Sequence, residues 1–169
     1  NKVTIYDPVT KKDSVLHVLK GAPYRMETNH ILYNPFYDEI WSYNHGDNEI
    51  SRFDFKTLRW SLDNSKLKES AYAQHNAIIS SRDSMLYTIG GYGFYRYKND
   101  VMRISPRIGE WENIALAGEE IPPRYMASSG LLSTDTLLIF GGFGHKSGEQ
   151  ELGGHNYYDL YALSLSLIH

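Results

Sequence analysis

Between Tyr92 and Tyr97 the chain reads YGFYRY, so that Tyr92, Phe94, Tyr95, Arg96 and Tyr97 set four rings and a guanidinium into six residues. Such rings offer flat apolar area with a hydroxyl at one end, and arginine adds a planar cation. That set suits recognition of a protein segment or of the face of a sugar. Arg124 and Tyr125 close a second polar stretch, AGEEIPPRY, in which Glu119 and Glu120 precede Pro122 and Pro123. The Arg124 guanidinium is matched to a carboxylate, supplied either by a ligand or through a salt bridge to a neighbouring repeat of the fold. His45, Asp47, His145 and His155 are residue types that hold zinc or copper. They are scattered without ligand-like local spacing. No metal site is assigned, and His145 and His155 stay as ligand-binding candidates beside the rings.

Patterns that carry chemistry outright are missing. There is no Gly-x-Ser-x-Gly elbow, no His-Glu-x-x-His and no phosphate-cradling glycine loop. No residue is therefore assigned as catalytic and no cofactor is expected. Seventeen Lys and Arg stand against 20 Asp and Glu, for a net charge of −3 without a block of one sign. Nothing in that balance draws the chain to nucleic acid. No apolar run approaches the roughly 18 to 20 residues of a membrane span. The chain has no cysteine, which excludes disulfides and thiolate metal sites and leaves the compartment open.

The elements that must position these residues come from an internal repeat. DVMRISPRIGEW (100–111) lines up with EISRFDFKTLRW (49–60) and with KVTIYDPVTKKD (2–13). A second column agrees: IWSYNHG (40–46), LYTIGGYG (86–93) and LLIFGGFG (137–144) place Asn44, Gly90 and Gly141 at one position. The period is near 50 residues, and each unit reads as four short strands, a to d, joined by turn chemistry such as Asn34-Pro35 and Arg82-Asp83. No long amphipathic helix is expected; at most one helical turn fits DNSKLKESAYAQ (63–74).

Four-stranded units of this period resemble kelch repeats, the blades of a β-propeller. The resemblance rests on Gly90-Gly91 with NDVMRISPRIGEW from Asn99, and on Gly141-Gly142 with YYDLYALSL from Tyr157. It implies an all-β chain of about three blades, an incomplete segment of a larger propeller similar to the galactose oxidase central domain. Residues 1–27 supply the outer strands of a preceding blade and a linker, 28–73 and 74–123 are blades, and 124–169 is an incomplete last blade. Asn44-His45 replaces the glycine pair in the first full blade, the weakest match. Gly90, Gly91, Gly141, Gly142, Trp60 and Trp111 are expected to be structural, the glycines where neighbouring blades approach and the tryptophans between blades.

In such a blade the a–b and c–d turns share one rim and the b–c and d–a loops share the other. The longer loops, 92–99, 143–157, 62–74 and 117–125, fall on the second rim, so the ligand-binding candidates are placed there. The first functional reading is a non-enzymatic binding module for a protein or glycan. The partners it implies include the remaining blades, from a longer chain or another copy. The alternatives are a sugar-active enzyme of mutarotase type, with Arg124, His75 or Glu49 as acid and base groups, and a sensing or scaffold domain of a larger protein. Galactose oxidase chemistry needs a cysteine-linked tyrosine, which this segment does not supply unaided.

Overall fold

The computed structural model describes residues 1–23, 30–44, 49–63, 73, 75–105 and 111–167. They form two compact units, residues 1–44 with 49–64 and residues 65–169 with 45–48. Regular structure among the described residues is strand, apart from two single 3-10 turns, Gln150–Leu152 and Leu165–Leu167. The helical turn considered for 63–74 falls almost wholly outside the described residues.

In the first unit, β1 (Lys2–Asp7) and β2 (Lys12–His17) form an antiparallel hairpin. The strands β3 (His30–Asn34), β4 (Glu39–Asn44), β5 (Glu49–Asp54) and β6 (Arg59–Asp63) form a four-stranded antiparallel sheet in chain order. Trp41, Tyr43, Ile50 and Phe53 are its buried apolar side chains. Trp60 is half-buried; its ring lies 5.4 Å from that of Phe53, and its backbone N–H donates to the Lys20 carbonyl at 2.9 Å.

The turns show why the repeat folds as it does. Asp7, Asn34, Asp54 and Ser80 each open a turn by accepting a backbone N–H two residues on, from Val9, Phe36, Lys56 and Arg82 at 2.8, 2.9, 2.7 and 3.2 Å. Short polar side chains are favoured there because they close a local turn on their own backbone. Four positions later each turn passes through a left-handed residue, Lys11, Asp38, Leu58 and Ser84, with φ of 55°, 54°, 53° and 62°. Asp7 and Asp54 add a second bond from a threonine hydroxyl, Thr10 at 2.6 Å and Thr57 at 2.9 Å. These bonds hold both carboxyls below the ordinary aspartate range, led at Asp7 by the Thr10 hydroxyl and at Asp54 by the Lys56 amide.

In the second unit, β7 (Asn76–Ile79), β8 (Leu86–Gly93), β9 (Arg96–Ile104) and β10 (Trp111–Ile114) form another four-stranded antiparallel sheet. Trp111, half-buried, opens β10 opposite Ile104. The next repeat supplies three strands, each broken once. Its outer part is β12 (Ser128–Leu131), β13 (Thr136–Phe140) and β16 (Leu160–Ser164). Its other part is β11 (Arg124–Tyr125), β14 (Phe143–Gly144) and β15 (His155–Asn156). Both parts keep the order a, b, c. Tyr87, Ile89, Val101 and Ile114 of the four-stranded sheet pack on Leu137 and Ile139 of β13 and on Leu165. Each side chain so buried contributes roughly 1.5 to 3 kcal/mol.

Gly90 lies where the next repeat approaches β8, and Gly142 where the strands of its own repeat crowd together. Gly90 has φ of +65°, and a Cβ there would come within 2.6 Å of the Arg124 carbonyl oxygen on the next repeat. The ladder between β8 and β9 shifts register at this point, between Ile89 and Gly91. Gly142, at φ of +99°, would set a Cβ 3.0 Å from the Tyr125 carbonyl. Gly90→Ala combines left-handed strain with a backbone clash and is expected to cost about 2 to 4 kcal/mol. Gly130→Ala has open space within 4 Å and should lie within about 0.5 kcal/mol of the parent. Urea unfolding of both variants checks the pair, and equal midpoints would remove the close-approach argument.

Candidate functional site

The stretch 92–99, expected as a loop, is instead the end of a long hairpin. The β8 and β9 strands stay paired through Tyr92–Tyr97 and Gly93–Arg96, leaving a two-residue turn at Phe94 and Tyr95. Both turn residues are left-handed, with φ of 52° and 59°. Two-residue hairpin turns of this shape match strand twist, but they favour Asn and Gly, because a Cβ in the left-handed region is strained. Here two aromatic residues occupy both positions, and their side chains face solvent, at 75% and 79% exposure.

The neighbouring rings turn the other way. Tyr97 is buried, and its ring lies 5.8 Å from Tyr92, 5.8 Å from Tyr125 and 6.0 Å from Phe143. Tyr125 stacks parallel to Tyr97, and Phe143 meets both edge-on. This cluster anchors the hairpin to the loop 145–154. Tyr97 N–H donates to the Gly148 carbonyl at 2.8 Å, and Gln150 N–H to the Tyr95 carbonyl at 3.3 Å. Arg96 pairs with Glu149, and the Tyr92 hydroxyl donates to Gln150. The hairpin end is thus braced along its length, and only the two tip rings are unclaimed.

Arg124 is 2% exposed. Its Nε donates to the Pro122 carbonyl at 3.0 Å and its Nη1 to the Gly141 carbonyl at 2.9 Å. Nη1 and Nη2 together hold Asp159 at 2.5 and 3.0 Å. The guanidinium also lies over the rings of Tyr157, 4.2 Å from its centroid, and Tyr161, at 5.2 Å. The carboxylate it binds therefore belongs to its own repeat, not to a neighbouring blade. The reason is strand order: Arg124 and Asp159 flank strand b at the Gly141-Gly142 break, where the Gly141 carbonyl points into the same contact.

The remaining candidates are dispersed. His145 closes a local turn, its Nδ1 accepting from Ser147 N–H at 3.2 Å, and His155 is exposed with its ring edge-on to Tyr157 at 4.6 Å. His75 is buried at the start of its repeat, and Glu49 opens β5. His45 and Asp47 lie outside the described residues. Among the described residues no group of three or more His, Cys, Asp or Glu side chains could hold a metal ion. Sequence reading missed Phe143, Glu149, Gln150, Tyr157 and Asp159. Asp159 carried a signal, since the aligned repeats place it opposite Asp100 in NDVMRI and YDLYAL.

Four-stranded antiparallel sheets make this an all-β chain, and their order is consistent with kelch-type blades. A family model of the Kelch motif matches residues 80–115, from the turn before β8 to the end of β10. Among curated proteins none matches the chain. No helix among the described residues is long and apolar enough to cross a membrane. A Kelch motif points in general to a protein-interaction module.

Arg124 holds the Asp159 carboxyl below its ordinary value of 3.8. With the folded value lower than the unfolded one, this pair stabilises the fold above pH 3.8 and is lost as pH falls through the lowered value. Asp159→Asn leaves Arg124 buried without its counter-charge. A fully buried pair broken this way costs about 3 to 5 kcal/mol. The Asp159 side chain is 35% exposed, so about 2 to 3 kcal/mol is expected here. Thermal melts at neutral pH should show that loss, and melts between pH 5 and 3 a flatter acid limb than the parent. An unchanged melting temperature would count against the pair.

Proposed function

We propose that this chain is a non-enzymatic interaction module that recognises a protein through the rim carrying the hairpin tip and the loops 117–125 and 143–157. The supporting observation is the tip itself: Phe94 and Tyr95 stand in left-handed backbone at 75% and 79% exposure. Strain held at an exposed aromatic pair has no packing return within the fold, so its return is sought in contact with a partner. A protein groove fits better than a glycan, because the tip is convex, whereas small-ligand sites enclose what they bind.

On the same reading the second unit receives a further blade, from a longer chain or from another copy. In the aligned repeats Leu138 and Phe140 occupy the positions of Tyr87 and Ile89, the residues that pack on the following sheet. Phe140 is 52% exposed and Leu160, paired with it, 61%.

The test separates strain from fold. Phe94→Asn with Tyr95→Gly supplies the residues that the turn favours, and is expected to stabilise the chain by about 1 kcal/mol while removing both rings. For a chain of this size that is about 2 to 4 °C in melting temperature. Capture of a partner from extracts of the source cells should fall at least ten-fold. Capture that is unchanged in a variant of equal or higher stability would reject the tip as the contact.

A further inference from the structure

The loop 145–154 carries the brace that holds the hairpin end. Its Gly148 carbonyl takes the Tyr97 N–H at 2.8 Å, its Gln150 N–H donates to the Tyr95 carbonyl at 3.3 Å, and its Glu149 pairs with Arg96. The first turn of this loop closes on His145. Ser147 N–H donates to the His145 Nδ1 at 3.2 Å, the Ser147 hydroxyl lies 2.7 Å from the same atom, and Gly148 N–H donates to the His145 carbonyl at 2.9 Å. A backbone N–H can only donate, so Nδ1 bears no proton and the imidazole is neutral, with its proton on Nε2.

This contact has the form of the other turns, in which a side-chain atom accepts the N–H two residues on. There the acceptors are Asp7, Asn34, Asp54 and Ser80. An amide and a hydroxyl do not titrate in mild acid, and both carboxyls are held below the ordinary aspartate range, so those four acceptors persist. His145 differs from them in kind. Protonation puts an N–H where its acceptor was, facing the N–H of Ser147. The Ser147 hydroxyl already accepts from Glu149 N–H at 3.2 Å and must turn its own proton away from the imidazolium. Because only the neutral ring makes the bond, its stabilisation is whole above the range in which imidazoles titrate and is lost as pH falls through it.

The charged neighbours do not reverse this. On the same loop Glu149 is paired with Arg96, Lys146 opposes a further cation, and Glu151 is exposed. From β11, which pairs with β14 at Gly144, Arg124 is spent on Asp159. Glu119 and Glu120 line a cavity with Lys146 and with His155, which sits opposite Gly144 on β15, and His145 is not on that wall.

We propose that His145 makes the hairpin tip pH-sensitive: the neutral ring closes the loop that braces Phe94 and Tyr95, and the imidazolium releases it. Recognition through the tip is then weakened in acid. The proposal rests on the reading of the tip as a protein contact and adds its regulation.

Backbone amide exchange of the isotope-labelled chain, corrected for the intrinsic chemical rate, reads the brace without a partner. The Tyr97 amide, which donates into the loop, is expected to exchange about three- to ten-fold faster at pH 5.5 than at pH 7.5. The Ser80 amide, bonded to the Met85 carbonyl at 2.9 Å, should keep one rate at both. His145→Asn places a non-titrating acceptor in the same turn, as Asn34 does, and should bring the Tyr97 ratio to about one. His145→Ser, which follows Ser80, is a second variant of that kind, and His155→Asn should keep the parent ratio. Equal Tyr97 rates in the parent, the same ratio at Ser80, a ratio that persists in both His145 variants, or its loss in H155N would overturn the proposal. A pH response traced to His145 with partner capture that ignores the Phe94 and Tyr95 changes refutes the tip reading alone; flat exchange with tip-dependent capture refutes the switch alone.

Discussion

A guanidinium that is 2% exposed is tolerated in a small all-β fold only if each of its three nitrogens finds a partner, because a buried charge without partners costs several kcal/mol. Arg124 meets that demand with two backbone carbonyls and one carboxylate drawn from three places in the sequence, Pro122, Gly141 and Asp159. Much of the second unit follows from satisfying it. The chain before β11 must bend so that Pro122 faces back onto the arginine. Strand b must break at Gly141 so that a carbonyl leaves the ladder. Strand c must arrive with Asp159 beside the break. The rings of Tyr157 and Tyr161 then cover the planar cation.

The same region fixes the neighbouring blade. Arg124 lies against Gly90, where no Cβ fits, so the residue that organises one repeat also sets how closely the previous strand b approaches. A glycine pair at the end of a strand thus serves two needs. It lets the backbone turn left-handed, and it admits the next repeat at main-chain distance. Tyr125, one residue further, carries this into the aromatic cluster with Tyr97 and Phe143, and that cluster holds the hairpin upright. Interior charge pairing and rim geometry are therefore linked through two consecutive residues.

How much of this was legible depended on whether the signal was local. The repeat, its four-strand units and the polar residues that open the turns could be read, because Asp7, Asn34, Asp54 and Ser80 act on backbone two residues away. The left-handed residues that end those turns could not, since Lys11, Asp38, Leu58 and Ser84 carry none of the glycine signature that marks such positions. The hairpin at 92–97 reads as a loop in the sequence for the same reason: Phe94-Tyr95 is the opposite of the Asn-Gly that announces a two-residue turn. The partner of Arg124 was hidden because sequence separation says nothing about which carboxylate a folded strand order brings near. The rim rings form one group in the sequence, yet the structure divides them into anchors, Tyr92, Tyr97 and Tyr125, and presented rings, Phe94 and Tyr95. Alternation explains the division, because residues on one face of a hairpin pack while those at its tip have no face.

That division bears on what such a surface can recognise. A tip of two exposed rings supplies apolar area and little direction. Interfaces draw affinity from a few well-packed aromatic anchors and draw specificity from placed charges. The hairpin that carries the tip is braced through Asn99 to the 117–123 segment and through Tyr97 and Arg96 to the 145–154 loop. The ordering cost of holding the hairpin end in place has therefore been met in folding.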